Sequence, residues 1–246
     1  METLSPVKRV QISIPKIADQ QRSRCTTTMS DDFRAPSFER LADYPMPSHE
    51  AAFHAATSAA RELPRPPLER LCDTLDAMFE ACAHFPEPSH SRFFARSMRL
   101  ALAEAAADPA LLAPAQREGS ADCYRRHLLA ADPHGRYAIA ALVWQPGQAS
   151  PVHAHHTWCG YAVVDGKLNE TIFEWDETQH CASALRSQAR KPGAVSYVRS
   201  GRGAIHRLGN LSDTAAVSLH VYGVEAARMS THVNDVVRVT DAAALV

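Results

Sequence analysis

The period of the apolar positions changes near residue 120. From about 48 to 118 the chain is alanine-rich, and its apolar residues recur at i, i+3 and i+4, the spacing of one helix face. Ser48 is placed to cap a helix over "HEAAFHAATSAARELP", which Pro64, Pro66 and Pro67 end. A second helix follows in "LERLCDTLDAMFEACA", with Leu68, Leu71, Leu75, Met78, Phe79 and Cys82 on its apolar stripe. Ser89 is the expected cap of a third over "HSRFFARSMRLALAEAAAD". These stripes are read as core contacts and carry no chemistry.

From about 122 the pattern becomes short runs of Val, Ile, Leu and Tyr separated by turn signals. "DPHG" (132–135), "QPGQ" (145–148), "VDGK" (164–167), "KPG" (191–193), "SGRG" (200–203) and "NLSD" (210–213) divide it. Spacings of about 8–12 residues favour an antiparallel sandwich or barrel. "VVDGKL" is predicted to be a hairpin, because Asp-Gly suits a left-handed turn. The expected architecture is an all-β half (about 122–240) preceded by a helical lobe (about 38–118) in one domain of residues 35–246. No internal repeat is evident.

Composition narrows the class. The 246 residues are 46% hydrophobic and 22% charged, with a formal net charge of -1. A chain of this length buries roughly 70–75% of its unfolded surface, enough for a sizeable core. The near-neutral balance gives no basic footprint for nucleic acid and no pull toward an anionic membrane. No run of 18 apolar residues offers a membrane span. The six cysteines are scattered without a CxxC pair, which reads as reduced thiols in a cytoplasm. Residues 1–34 are polar and weakly patterned, and read as a disordered extension. Two readings stand for them: Met29 as the biological start, or a basic, Ser/Thr-containing mitochondrial presequence. They lack the apolar stretch of a secretory signal.

The candidate chemistry is concentrated in "PVHAHHTWCG", residues 151–160. In a strand, residues two apart share a face, so His153 and His155 point together and His156 points away. Two imidazoles on one face make a metal clamp. Gly147 lies six residues before His153, and Cys159 four after His155. Gly166 lies seven beyond Cys159, and "GAIHRLGN" sets His206 between Gly203 and Asn210. These spacings resemble the two signature motifs of the cupin superfamily, in which two separated strands bring an HxH pair and a distant third histidine to one metal. Cys159 stands where the first cupin motif carries a glutamate ligand.

The stretch "SPVHAHHTWCGYAVVDGKLNETIFEW" followed by "HRLGNLSDTAAVSLHVYG" resembles the cysteine dioxygenase family, the thiol dioxygenases of the cupin fold. The resemblance runs from about Tyr124 to Gly223 and takes in the helical lobe in outline. It implies a cupin-type antiparallel β-barrel, a double-stranded β-helix, with His153, His155 and His206 holding Fe(II) and no carboxylate ligand. It further implies that Ser218, His220 and Tyr222, alternating along "SLHVY", form a hydrogen-bond relay that orients the tyrosine hydroxyl. Counted back from Gly166, Cys159 occupies the position of a cysteine that crosslinks to that tyrosine in animal members. Counted forward from His155, the loop is one residue shorter, so the alignment stays open. In "CYRRHLL", Arg126, two after Tyr124, matches the arginine that clasps the substrate carboxylate, and arginine's planar fork suits that task. Arg125 is adjacent, and a one-residue slip would exchange their faces.

The reaction so implied is the Fe(II)-dependent conversion of L-cysteine and O2 to cysteine sulfinate. The same reaction on 3-mercaptopropionate or another small thiol is the nearest alternative. Beyond these stand a ligand-binding cupin without catalysis and a zinc or nickel hydrolase or isomerase, because three histidines plus water also serve zinc. Trp144, Trp158 and Trp175 are expected in the core rather than as platforms. The sequence does not specify an oligomeric state.

Overall fold

The two described helices follow from the sequence periodicity. The structure, a computed structural model, describes residues 65–240. The expected first helix with its Ser48 cap, the 1–34 extension, Met29 and Cys25 lie outside the described residues. Helix α1 spans Pro67–Ala81, with Pro67 at its first position, where the missing N–H costs nothing. It buries Leu71, Leu75 and Met78. Helix α2 spans Arg92–Ala107 and buries Phe94, Met98, Ala101, Leu102 and Ala105. Its cap is Ser91, whose hydroxyl accepts from the Phe93 N–H, and not Ser89. Ser89 instead sits buried in a short 3₁₀ turn (Pro88–His90), where its carbonyl accepts from the Tyr197 hydroxyl.

Among the described residues ten strands follow: β1 (Arg125–Ala131), β2 (Ala138–Trp144), β3 (His153–His155), β4 (Cys159–Asp165) and β5 (Leu168–Asp176), then β6 (Cys181–Arg190), β7 (Val195–Val198), β8 (Gly201–Gly209), β9 (Ala216–Tyr222) and β10 (Asn234–Val236). They form two five-stranded antiparallel sheets, ordered β1-β2-β9-β4-β7 and β10-β3-β8-β5-β6. The fold is thus mostly β, two antiparallel sheets preceded by helices, as expected. Among the described residues no ladder joins the two sheets, so they face each other as a barrel not closed by strand pairing.

The outer face of the first sheet carries the helices. Ile139, Ala141 and Val143 of β2 and Val217, Leu219 and Val221 of β9 pack with Leu75, Phe94, Met98 and Leu102. The alternate residues Ala138, Ala140, Leu142, Trp144 and Tyr222 turn inward to a second cluster with Cys159, Tyr161 and Leu208. Both faces of β2 and β9 are therefore covered, and every residue in them is buried. Gly160 lets α2 approach β4: a Cβ there would lie 2.8 Å from Leu102 Cδ1 and 3.0 Å from Met98 Cγ.

The Asp165-Gly166 turn forms, with Gly166 at φ +69°. It does not close a hairpin. β4 pairs with β7 and β9 while β5 pairs with β6 and β8, so the turn carries the chain from one sheet to the other. A dipeptide specifies a left-handed bend, but the partner of the next strand is decided by distant pairing.

Candidate active site

The register of three short ladders assembles the site. β3 is only three residues long and entirely buried. Alternation turns Ala154 toward an outer cluster with Phe173, Ala182 and Ile205, and leaves His153 and His155 facing inward. On the neighbouring strand β8, His206 is the cross-strand partner of His153. Ring centroids lie 5.1 Å apart for His153–His155, 4.7 Å for His153–His206 and 5.0 Å for His155–His206. The three offer ligand nitrogens that all lie within 4.8 Å of one another.

Each Nδ1 is tied from behind. His153 donates to the Pro151 carbonyl at 2.9 Å, His155 to the Ala204 carbonyl at 3.2 Å and His206 to Glu170 Oε1 at 2.9 Å. A proton held on Nδ1 leaves the Nε2 lone pair for a metal, which requires neutral imidazole. Burial, reinforced by His206, holds the His153 pKa down to about 3 and that of His155 to about 2. Three oriented nitrogen donors fit a first-row divalent ion.

Around them the pocket is lined by Tyr124, Arg126, Trp144, Cys159, Tyr161, His220, Tyr222 and Asn234 among others. Arg126 faces in from β1. Its Nη2 donates to the Tyr124 hydroxyl at 3.2 Å, its guanidinium lies 5.4 Å from the Tyr124 ring centroid, and its Nε is buried without a hydrogen-bond partner. Tyr124 in turn stacks on Trp144 at 4.4 Å. Arg125 takes the other face, exposed and 3.8 Å from Glu118. His156 is exposed and contributes no ring to the cluster.

On β9, Trp144 Nε1 donates to Ser218 Oγ, and Ser218 Oγ lies 2.9 Å from His220 Nε2. Because the indole can only donate, the serine proton is available to His220 Nε2. His220 Nδ1 has no hydrogen-bond partner. The His220 ring stacks on Tyr222 at 5.6 Å and on Tyr161 at 5.4 Å. Ser218 and His220 are therefore joined by a hydrogen bond, whereas His220 and Tyr222 are joined by ring packing. Burial, opposed by Arg126, raises the Tyr222 pKa, and the same pair of effects leaves the Cys159 thiol pushed up to about 12. Both groups are protonated at neutral pH.

Residues 119–230 match the family model described as Cysteine dioxygenase type I. Human and rat cysteine dioxygenase type 1 are each 30% identical to this chain over 92 residues, covering 36% of this chain and 46% of theirs. Residues 119–230 are therefore similar to the cysteine dioxygenase family. The chain spans about half the length of the curated relatives it matches. Every site residue from Tyr124 to Tyr222 falls inside the matched segment, and α1 and α2 fall outside it. A cupin 2 conserved barrel domain protein from Salinispora arenicola overlaps 48% of this chain and 89% of its own, at 20% identity and a TM-score of 0.34.

Four contributors escaped the sequence reading. Trp144 is buried in the core as expected, and it also donates to Ser218 and carries Tyr124. Tyr161 lines the pocket with its hydroxyl buried and without a hydrogen-bond partner. Glu170 and Gln188 meet behind His206, with Gln188 Nε2 donating to Glu170 Oε2 at 2.8 Å. Their only sequence signal is a polar residue at an inward strand position, which surface residues of a mispaired strand would share.

Proposed function

We propose that this protein is an Fe(II)-dependent thiol dioxygenase that converts L-cysteine and O2 to cysteine sulfinate, both oxygen atoms entering the product. One observation carries the reading: three histidines tied at Nδ1 share a pocket with a half-buried arginine and a buried tyrosine. When bound, a ferrous ion would supply the redox chemistry that joins dioxygen to a thiolate sulfur.

The chain's own residues bind and orient. Arg126 is the pocket's guanidinium, and no acidic side chain lines that pocket among the described residues, so an anionic substrate is favoured. Its fork receives the substrate carboxylate, and Tyr124 holds it in place. Tyr222, protonated and stacked on His220, presents a preorganised hydroxyl donor to oxygen and sulfur as charge develops there. Ser218 and Trp144 hold His220 in register behind it. Cys159 borders Tyr222 and is a candidate for a thioether to it. The five free cysteines among the described residues agree with a reducing, cytoplasmic setting.

The pocket lining also favours a second reading on the same chemistry. It offers a guanidinium for a carboxylate and no carboxylate for an amine, so 3-mercaptopropionate or another small thiol acid fits the same contacts. Oxygen uptake by the iron-loaded protein with cysteine, 3-mercaptopropionate and cysteamine tests both. Fastest uptake with cysteine supports the first reading, and fastest with 3-mercaptopropionate the second. No uptake with any thiol would leave a metal-binding cupin without oxygenase activity.

A further inference from the structure

The three candidate ligands are not equivalent. His153 and His155 donate to backbone carbonyls, whereas His206 donates to a carboxylate that is itself buried. Glu170 sits two residues after Leu168 on the inner face of β5, directly across from Gln188 on β6 and from Leu208 on β8, one diagonal step from His206. Its two oxygens have separate partners. Oε1 accepts from His206, while Oε2 accepts from Gln188 at 2.8 Å and lies 3.5 Å from Arg190 Nε. Arg190 in turn is held over the Tyr161 ring, 5.4 Å from its centroid.

This is an expensive arrangement for a barrel interior. Apolar residues of similar volume would stabilise the fold as well or better than a buried ion pair. A carboxylate on the outer nitrogen of a metal-binding imidazole both fixes the ring and raises its basicity. The ligand set itself contains three histidines and no carboxylate or thiolate.

We infer that Glu170 is a positioning residue that supplies, one bond beyond the ligand His206, the negative charge that the three-histidine centre lacks, and that Arg190 limits that charge. The inference rests on the metal-site reading above. Loss of the Glu170 charge should weaken Fe(II) binding and raise the Fe(III)/Fe(II) midpoint potential. Loss of the Arg190 charge should act in the opposite sense on the potential.

The experiment compares wild type, Glu170→Gln and Arg190→Gln as full-length proteins. Fe(II) affinity is read anaerobically against a chromogenic chelator, and the midpoint potential by spectroscopic redox titration. The expected result for Glu170→Gln, whose amide oxygen can still accept from His206, is roughly 10–100-fold weaker Fe(II) binding and a higher potential. Arg190→Gln should keep Fe(II) affinity and show a lower potential. A merely structural role would move both variants the same way. Unchanged affinity and potential in Glu170→Gln would overturn the inference while leaving the metal site intact. Should Glu170→Gln not fold, an unchanged or raised potential in Arg190→Gln overturns it instead. A wild type that binds no iron defeats both this inference and the proposed function.

Discussion

Cys159 lies directly opposite Tyr222 across the β4–β9 ladder. Facing residues on antiparallel strands have Cβ atoms about 4.5–5.5 Å apart. Both side chains are buried and both line the pocket. The open alignment of Cys159 in the sequence is thereby replaced by a definite neighbour. The expected outcome is a Cys159–Tyr222 thioether formed with iron and dioxygen during turnover. Peptide mass spectrometry should find the two peptides joined with loss of two hydrogen atoms, and Cys159→Ser should abolish the species. Unjoined peptides after exhaustive turnover would exclude it.

Arg126 bears on substrate choice. Hydrogen bonds to charged groups contribute about 1.5–3 kcal/mol, so Arg126→Gln should lower kcat/KM for cysteine by about 10–100-fold. Cysteamine, which lacks the carboxylate, should be nearly unaffected. Steady-state oxygen uptake with both thiols checks this. Equal losses on both would assign Arg126 to the scaffold rather than to the substrate.

Metal retention and rate should separate between two residues. His153→Ala removes one of three nitrogen donors and should lose the iron, as measured by metal analysis after dialysis. Tyr222→Phe leaves all three donors and should keep the iron, with kcat reduced by about 10²–10³, the usual loss for a preorganised donor. Normal sulfinate production by His153→Ala would remove the site assignment altogether.

The buried imidazoles also set an acid limit. Burial, with His206 nearby, holds His153 at about 3 and His155 at about 2, against 6.5 for an unperturbed histidine. Between those values the unfolded chain binds protons that the folded site refuses. Stability of the metal-free protein should therefore fall as pH drops below about 6.5, by about 1.4 kcal/mol per pH unit for each such histidine. Glu170 adds to this lower down. Burial alone would raise its pKa, but His206, Gln188 and Arg190 hold it at about 2, below its ordinary 4.5. Its stabilisation is present above 4.5 and is lost as pH falls toward 2. Urea titrations from pH 7 to 4.5 should show the decline, and His155→Gln should flatten it. A level profile between pH 6.5 and 5 would contradict the burial argument.

Gly166 offers a test of the fold away from the chemistry. It holds φ +69°, and a Cβ there would lie 2.6 Å from the Ala215 carbonyl oxygen, which is backbone and cannot rotate aside. Gly166→Ala should destabilise the protein by more than about 1 kcal/mol, seen as a lower Tm. An unchanged Tm would mean that the turn between the sheets tolerates rearrangement.

The sequence alone determined whatever depends on local period. Leu71, Leu75 and Met78 recur at helical spacing, so α1 was legible from its stripe. His153 and His155 are two apart, and any strand must turn them to one side. Distant partners were legible only where a family resemblance supplied them, as for His206, Ser218 and Arg126. Tertiary structure decided the rest. Arg126 rather than Arg125 faces the pocket because β1 pairs with β2 in one register. The Asp165-Gly166 bend crosses between sheets because β4 and β5 find their partners elsewhere. Trp144 and Glu170 reach Ser218 and His206 across 74 and 36 residues of chain. No periodicity encodes such meetings, since a polar residue at an inward strand position acquires its partner only when the opposing strand docks.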